Sequence, residues 1–383
     1  MTAGSPVARP VVLDTVGLAS LIELLVDDGR TVVGPTLRDG AIVHDVITRA
    51  DDLPQGWGDE QSPGTYRTRR RDDDARFGYA APPQSWKRML FPPRTSLWKA
   101  RRDSEGTFAF EADDTTPRYA FVGARACEVH AIAIQDGIFL DGDRTDPSYR
   151  SAREAAMIVA VNCSDPAGTC FCASMGTGPR VQSGADVVLT EVVADAIEPW
   201  YLAEAGSEQG AALLDRVPCR DATEHEVAAA AAITVRAEGR MGRSMPDVDL
   251  HGLLAVNLEH PRWDDVAERC LACTNCTLVC PTCFCSSIED LTDLTGTEAR
   301  RERRWASCFE LDHSYLHGGS VRTTTRSRYR QWLTHKLGTW FDQFGTSGCV
   351  GCGRCITWCP AGIDITEEVR AIARTSHAEV SQR

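Results

Sequence analysis

No hydrophobic run in this 383-residue chain approaches the length of a membrane span. The longest, around Val227–Ile233, is seven residues, against the roughly 20 that a spanning helix needs. Residues 1–12 lack the basic start and apolar core of a secretory leader, so a cytoplasmic protein with no membrane partner is expected. Nucleotide signatures are also missing. No G-x-G-x-x-G follows a strand and there is no P-loop. His225-Glu226 has no second histidine four residues after the first, so the metalloprotease pattern fails. No Ser/His/Asp arrangement can be picked out. A chain without a catalytic site of its own is therefore expected. The net charge of −13 argues against nucleic acid as a partner, and none is expected.

What is abundant is cysteine, with 16. In a long chain without a leader, that many cysteines point to metal rather than to disulfides. Cys270, Cys273, Cys276 and Cys280 precede Pro281 in a C-x2-C-x2-C-x3-C-P run, and Cys349, Cys352, Cys355 and Cys359 precede Pro360 in the same run. This is the bacterial ferredoxin pattern. Three thiolates from one short loop reach three corners of a [4Fe–4S] cube, and the fourth points away to the other cluster. The expected ligand sets are Cys270, Cys273, Cys276 and Cys359 for one cluster, and Cys349, Cys352, Cys355 and Cys280 for the second. Structural zinc also uses C-x2-C pairs, but usually two pairs separated by a loop rather than four cysteines in one proline-capped run.

A second constellation lies upstream. Cys163, Cys170 and Cys172 sit in Asn-Cys-Ser-Asp-Pro-Ala-Gly-Thr-Cys-Phe-Cys, and Cys127 in Gly-Ala-Arg-Ala-Cys-Glu-Val-His. Cys127 and Cys163 each follow a predicted strand, and open α/β sheets bind ligands at the carboxyl ends of strands. These four are the candidate ligands of a third [4Fe–4S] cluster. The competing reading is that they are small buried apolar residues. Cys283, Cys285 and Cys308 read as core packing, with a further centre, a redox pair or sulfurs beside the clusters as alternatives. Cys219, alone in the sequence, reads as structural.

The organisation expected is an α/β domain over 1–250 and an α-helical ferredoxin-like domain with two [4Fe–4S] clusters over 251–383. Leu18, Leu21, Ile22 and Leu25 have helical spacing. Thr31–Pro35, Tyr119–Val122, Met157–Val161 and Asp186–Val193 read as strands, and Cys127–Ile134 and Glu224–Glu238 as helices. Residues 51–106, rich in Pro, Gly and charge, read as a long irregular connection. Beyond about 250 no strand signal is seen. Trp332, Leu333, Leu337, Trp340, Phe341 and Phe344 repeat at helical spacing, and Asp364 with Glu367 suggests a capping box. Residues 300–336 hold nine Arg or Lys against three acids, a local +6. Arg322, Arg326 and Arg330 are expected to share a helix face, either solvated or used for docking and cluster neutralisation.

At these residues the chain resembles the β subunit of cytosolic, NAD(P)-linked [NiFe] hydrogenases of the sulfhydrogenase type. The related electron-transfer subunit of anaerobic sulfite reductase has the same layout. The resemblance is carried by Gly123–Ile132, Asn162–Pro179, Cys270–Cys285 and Gly348–Ile365, and more weakly by Thr31–Pro35 and Pro83–Pro93. The doubled ferredoxin motif alone is shared by many oxidoreductases, whereas its union with the Cys-Phe-Cys loop is more specific. The resemblance implies an electron-transfer subunit between the hydrogenase large and small subunits and a flavin-containing subunit that handles NAD(P). In the sulfite reductase case the same relay feeds a sirohaem subunit. The spacing of the two motifs, 69 positions from Cys280 to Cys349, looks like the helical ferredoxin domains of such complexes. An iron–sulfur sensor or regulatory protein, the competing class, needs a DNA- or RNA-binding element, and none is visible.

Overall fold

A computed structural model describes residues 9–111, 116–142, 145–194 and 197–380. The first eight residues, part of the stretch read for a leader, lie outside the described residues. The first half is built on strands β1 (Val11–Leu13), β2 (Thr31–Arg38) and β3 (Ala41–Val46), a hairpin of β4 (Trp57–Ser62) and β5 (Thr65–Arg70), and a ribbon of β6 (Arg94–Arg102) and β7 (Phe108–Glu111). It continues with β8 (Tyr119–Ala124), β9 (Met157–Val161), β10 (Val187–Ala194), β11 (Ile197–Ala205) and the short β12 (Arg220–Asp221). Eight of these form one mixed sheet in the order β12-β1-β11-β10-β9-β8-β2-β3. Its centre is parallel, β2 with β8, β8 with β9 and β9 with β10, and its flanks are antiparallel.

The sheet is covered on both faces. In β9 all five residues are buried. Met157, Val159 and Val161 pack with Leu18, Leu21, Ile22 and Leu25 of the helix Thr15–Asp27. Ile158 and Ala160 face the opposite way, toward Val129 and Ile132 of the helix Ala126–Phe139. Two-sided burial explains why these strands read as continuous apolar runs rather than as alternation.

The second half gathers helices around Trp263, Tyr329, Trp332, Leu333, Leu337, Ile356 and Val369. Asp364 does begin the last helix, Ile365–Val380, but its carboxylate accepts from the amide and hydroxyl of Thr366, 2.9 and 2.7 Å away. Two expectations need correction. The region beyond 250 is not helical throughout, because β13 (Ser286–Thr292) and β14 (Glu298–Trp305) form a hairpin between the two cysteine motifs. Residues 51–106 are irregular only in part, chiefly over 71–86. They supply β4, β5 and β6, and β14 pairs antiparallel with β6, giving a four-stranded sheet β13-β14-β6-β7. These strands escape an apolar-pattern reading because their faces are polar. They are tied by charge pairs, Arg301 to Asp290 at 2.6 Å and Arg94 to Glu302 at 2.7 Å, and by Arg304 to Glu289.

His44 on β3 is stacked on Trp86 with ring centroids 3.9 Å apart, and neither ring nitrogen has a hydrogen-bond partner. Burial, with Arg354, Arg125 and Arg88 adding to it and Glu128 opposing, holds its pKa down at about 4 from 6.5. The unfolded chain therefore binds the proton that the folded one refuses. This contribution to stability is intact above pH 6.5 and is lost as the pH falls toward about 4. At pH 5 the loss amounts to about 2 kcal/mol. Thermal midpoints of wild type and His44→Phe measured at pH 7.5 and 5 should show a larger acid-side drop for wild type. Equal drops would contradict the assignment.

Candidate iron–sulfur sites

The two motif loops have one backbone shape. Cys270 follows the helix Arg262–Arg269, and the chain then enters the left-handed region at Ala272 (φ +49°) and Thr274 (φ +70°) before a short helix carries Cys276. In the second loop the corresponding positions are Gly351 (φ +65°) and Gly353 (φ +75°), before the short helix Arg354–Thr357. The amide of Ala272 donates to Cys270 Sγ and that of Gly351 to Cys349 Sγ, both at 3.4 Å. Ile363 N donates to Cys359 Sγ at the same distance. Backbone amides aimed at sulfur favour its thiolate form.

The loops differ in what lies against them. A Cβ on Gly351 would stand 2.6 Å from the backbone nitrogen of Cys172, and one on Gly353 would stand 2.4 Å from the carbonyl oxygen of Thr169. Glycine here serves close approach as well as positive φ. It lets the Cys-Phe-Cys loop of the first half lie on the second motif. Phe171 N donates to Gly351 O at 2.8 Å, Thr177 Oγ1 to Val350 O at 2.6 Å, and the Thr169 and Thr357 hydroxyls meet at 2.8 Å. The β4–β5 hairpin adds Gly64 N to Ile356 O at 3.1 Å and a 2.8 Å bond from Thr357 Oγ1 to Gln61 Oε1.

The thiols fall into neighbouring groups. Cys270, Cys273, Cys276 and Cys359 line one cavity together with Cys355. Cys349, Cys352, Cys355 and Cys280 are electrostatic neighbours of one another, and burial followed by Cys349, Cys352 and Cys280 pushes the Cys355 thiol well up. Cys127 lies one residue into the helix after β8 and Cys163 two residues after β9, at the carboxyl ends of adjacent parallel strands. With Cys170 and Cys172 they line a smaller cavity that Cys352 also borders. Burial, then Cys172 and Cys352, raises Cys127 well above the ordinary thiol range, and burial, then Cys163 and Cys352, pushes Cys172 up to about 12. None of these cysteines is in a disulfide.

Buried cations stand among the sulfurs. Lys336, 3% exposed, sends Nζ to Cys280 Sγ at 3.3 Å, Thr282 Oγ1 at 3.1 Å and Gly348 O at 3.0 Å. Burial opposes its charge, yet Cys280, Cys283 and Cys349 hold its pKa well above the usual lysine value. It lies on the π-helical turn His335–Thr339, a distortion frequent at functional sites. Arg354, fully buried, pairs with buried Glu128 and donates to Pro82 O at 2.7 Å, between Cys352 and Cys127. Arg125 reaches Phe77 O and Tyr79 O at 2.6 and 2.7 Å beneath Cys163. Crowded buried thiols beside buried cations suit a soft thiophilic group that takes them as thiolates. This donor set fits [4Fe–4S] clusters.

The basic run is divided differently from the single face expected. Arg300–Arg304 lie on β14, and Arg322 precedes the helix Thr325–Thr334. Arg326 and Arg330 are paired with Glu259 at 3.0 and 2.6 Å. The charge that reaches a thiol is Lys336, whose signal was its place in the Trp332–Leu333–Leu337–Trp340 stripe. Cys219 is exposed rather than packed. Cys283 has Cys280 as its leading electrostatic neighbour, and Cys285 has Cys308.

Residues 269–363 match the family of 4Fe-4S dicluster domains. Over 332 residues, 85% of this chain and 95% of the relative, the chain is 29% identical to the sulfhydrogenase 2 subunit beta of Pyrococcus furiosus. The resemblance carried by the motifs is thereby borne out, and an iron–sulfur electron-transfer role is supported. Among the described residues, no helix is long and apolar enough to cross a membrane.

The close approach at Gly351 has a direct check. Gly351→Ala should unseat the Cys-Phe-Cys loop, accelerating alkylation of Cys170 and Cys172 in anaerobic protein. Ala272→Gly, at the corresponding position of the first loop, should leave both rates unchanged. Equal rates in the two variants would contradict the packing argument.

Proposed function

We propose that this chain is the electron-transfer subunit of a cytoplasmic [NiFe] hydrogenase complex, set between the large and small catalytic subunits and a flavin subunit that handles NAD(P). The observation that carries this reading is the continuity of the three thiol groups. Cys276 neighbours Cys355 and Cys280 on one side, and Cys352 neighbours Cys127, Cys170 and Cys172 on the other. Residues 251–383 hold the two ferredoxin-type sets, Cys270, Cys273, Cys276 with Cys359 and Cys349, Cys352, Cys355 with Cys280. Residues 1–250 hold the third, Cys127, Cys163, Cys170 and Cys172. Each [4Fe–4S] cluster would supply storage of one electron at its site. The chain contributes the rest. Thiolates hold the iron, apolar walls such as Phe171 and Trp332 exclude water, and Lys336, Arg354 and Arg125 offset the negative charge of the sulfurs.

Anaerobic purification should yield about twelve iron and twelve labile sulfides per chain, and Cys163/Cys170/Cys172→Ser about eight. Stoichiometric zinc with little iron would sink the proposal, and unchanged iron in the triple variant would remove its third site. With NADPH and the flavin subunit present, the visible absorption of the chain should bleach; no bleaching would refute the link to NAD(P).

Lys336→Met tests the role of the buried ammonium. Losing a unit charge at an effective dielectric of about 20 should lower one cluster's midpoint potential by on the order of 100 mV. The shift should appear in a redox titration followed by electron paramagnetic resonance, with iron content preserved. An unmoved potential would make Lys336 a purely structural hydrogen-bond donor.

A further inference from the structure

Of the four thiols outside the three groups, two are placed as a pair. Cys285 enters β13 and Cys308 follows β14, so the hairpin fixes both. Ser286 is the register partner of Trp305, and Ala306 N donates to the carbonyl of Cys285 at 2.9 Å. Cys285 and Cys308 thus leave the same end of the hairpin and are electrostatic neighbours of each other, with His313, on the turn Asp312–Ser314, the next neighbour of Cys285. Both cysteines and His313 are partly exposed, unlike the buried Cys280 and Cys352. Neighbouring Cys283 is engaged elsewhere, its thiol on Cys280 and its carbonyl on Lys87 Nζ at 3.1 Å.

We infer that Cys285 and Cys308, with His313 as the positioning residue, form a redox-active dithiol that exchanges with low-molecular-weight disulfides. A reactive cysteine needs thiolate character, access and a resolving partner, and all three converge here. The Cys308 thiol, then His313, hold Cys285 down at about 4 against burial, and the same contacts raise Cys308 and His313. The other groups facing the pair are His335 toward Cys285, Cys276 and Lys336 toward Cys308, and Glu310 and Arg322 toward His313.

The exchange balances without a further reactant. The Cys285 thiolate attacks one sulfur of R–S–S–R, forming Cys285–S–S–R and expelling RS⁻. Cys308 then loses its proton and attacks the Cys285 sulfur. The Cys285–Cys308 disulfide forms, the second RS⁻ leaves, and the Cys308 proton goes to a released thiolate. Two electrons pass from the dithiol to the external disulfide. His313 does not react; behind the Cys308 thiol, it helps to keep Cys285 ionised.

The test uses the anaerobically purified full chain, oxidised glutathione as the probe, alkylation of free thiols and peptide mapping. Wild type should release two glutathione thiols and yield a Cys285–Cys308 linked peptide. Cys308→Ser should stop at a Cys285–glutathione adduct, and Cys285→Ser should leave position 308 unmodified. Iron content equal to wild type shows that both variants fold. His313→Gln should slow the reaction about tenfold at neutral pH and make a rate that is flat between about pH 6 and 8 rise with pH. A linkage through Cys283, no adduct at Cys285 in the Cys308→Ser protein, or one zinc per chain lost from both serine variants would overturn the inference. These readouts do not depend on hydrogenase partners, so the inference can fail while the proposed function stands, and the reverse.

Discussion

The packing of one loop on another, backbone to backbone, organises this molecule. Thr169–Cys172 lies so close to residues 351–353 that side chains at Gly351 and Gly353 would collide with main-chain atoms. Because the contact is between backbones, it fixes position more tightly than side-chain packing would. The loop after β9 and the second ferredoxin motif share Cys352 as a neighbour only because of it. In the first motif Ala272 and Thr274 hold the same conformation without glycine, which shows that conformation alone does not demand the glycines.

A second constraint follows from burying sulfur and charge together. Lys336, Arg354 and Arg125 are all nearly inaccessible, and isolated cations in such places are costly. Their partners are carbonyls, one carboxylate and thiols. Glu128 answers Arg354, while Lys336 has only sulfur and oxygen dipoles unless the thiols are ionised. The arrangement is thus self-consistent in the state where the sulfurs carry charge, and strained where they do not.

Much of this was legible in the residues. The doubled C-x2-C-x2-C-x3-C-P spacing located both motif loops, and the apolar runs located the parallel strands, since β9 has the bounds expected. The positions of Cys127 and Cys163 after strands placed them beside one another, because adjacent parallel strands end on the same edge. What escaped was whatever rests on polar pairing. The hairpin 286–305 carries arginines and acids where a half-buried strand shows apolar alternation, and it is joined by backbone pairing and ion pairs to β6, 208 positions away in the case of Arg94 and Glu302. Lys336 escaped because a lysine in a basic run reads as surface, although its spacing from Trp332 and Trp340 put it on the buried stripe. The Cys285–Cys308 pairing needs the hairpin register, which no local pattern contains.

That hairpin also bears on how the chain comes off the ribosome. The β6–β7 ribbon and the β4–β5 hairpin are made early, yet their partners, β14 and the carbonyl of Ile356, come late. Until residue 305 has emerged, β6 presents a bare row of amides and carbonyls, an invitation to pair with another chain. The arginines and lysine along β6, Arg94, Lys99, Arg101 and Arg102, give that waiting edge a repulsive charge. A nascent chain so guarded can remain solitary through the interval before its own distant strand arrives to close the sheet.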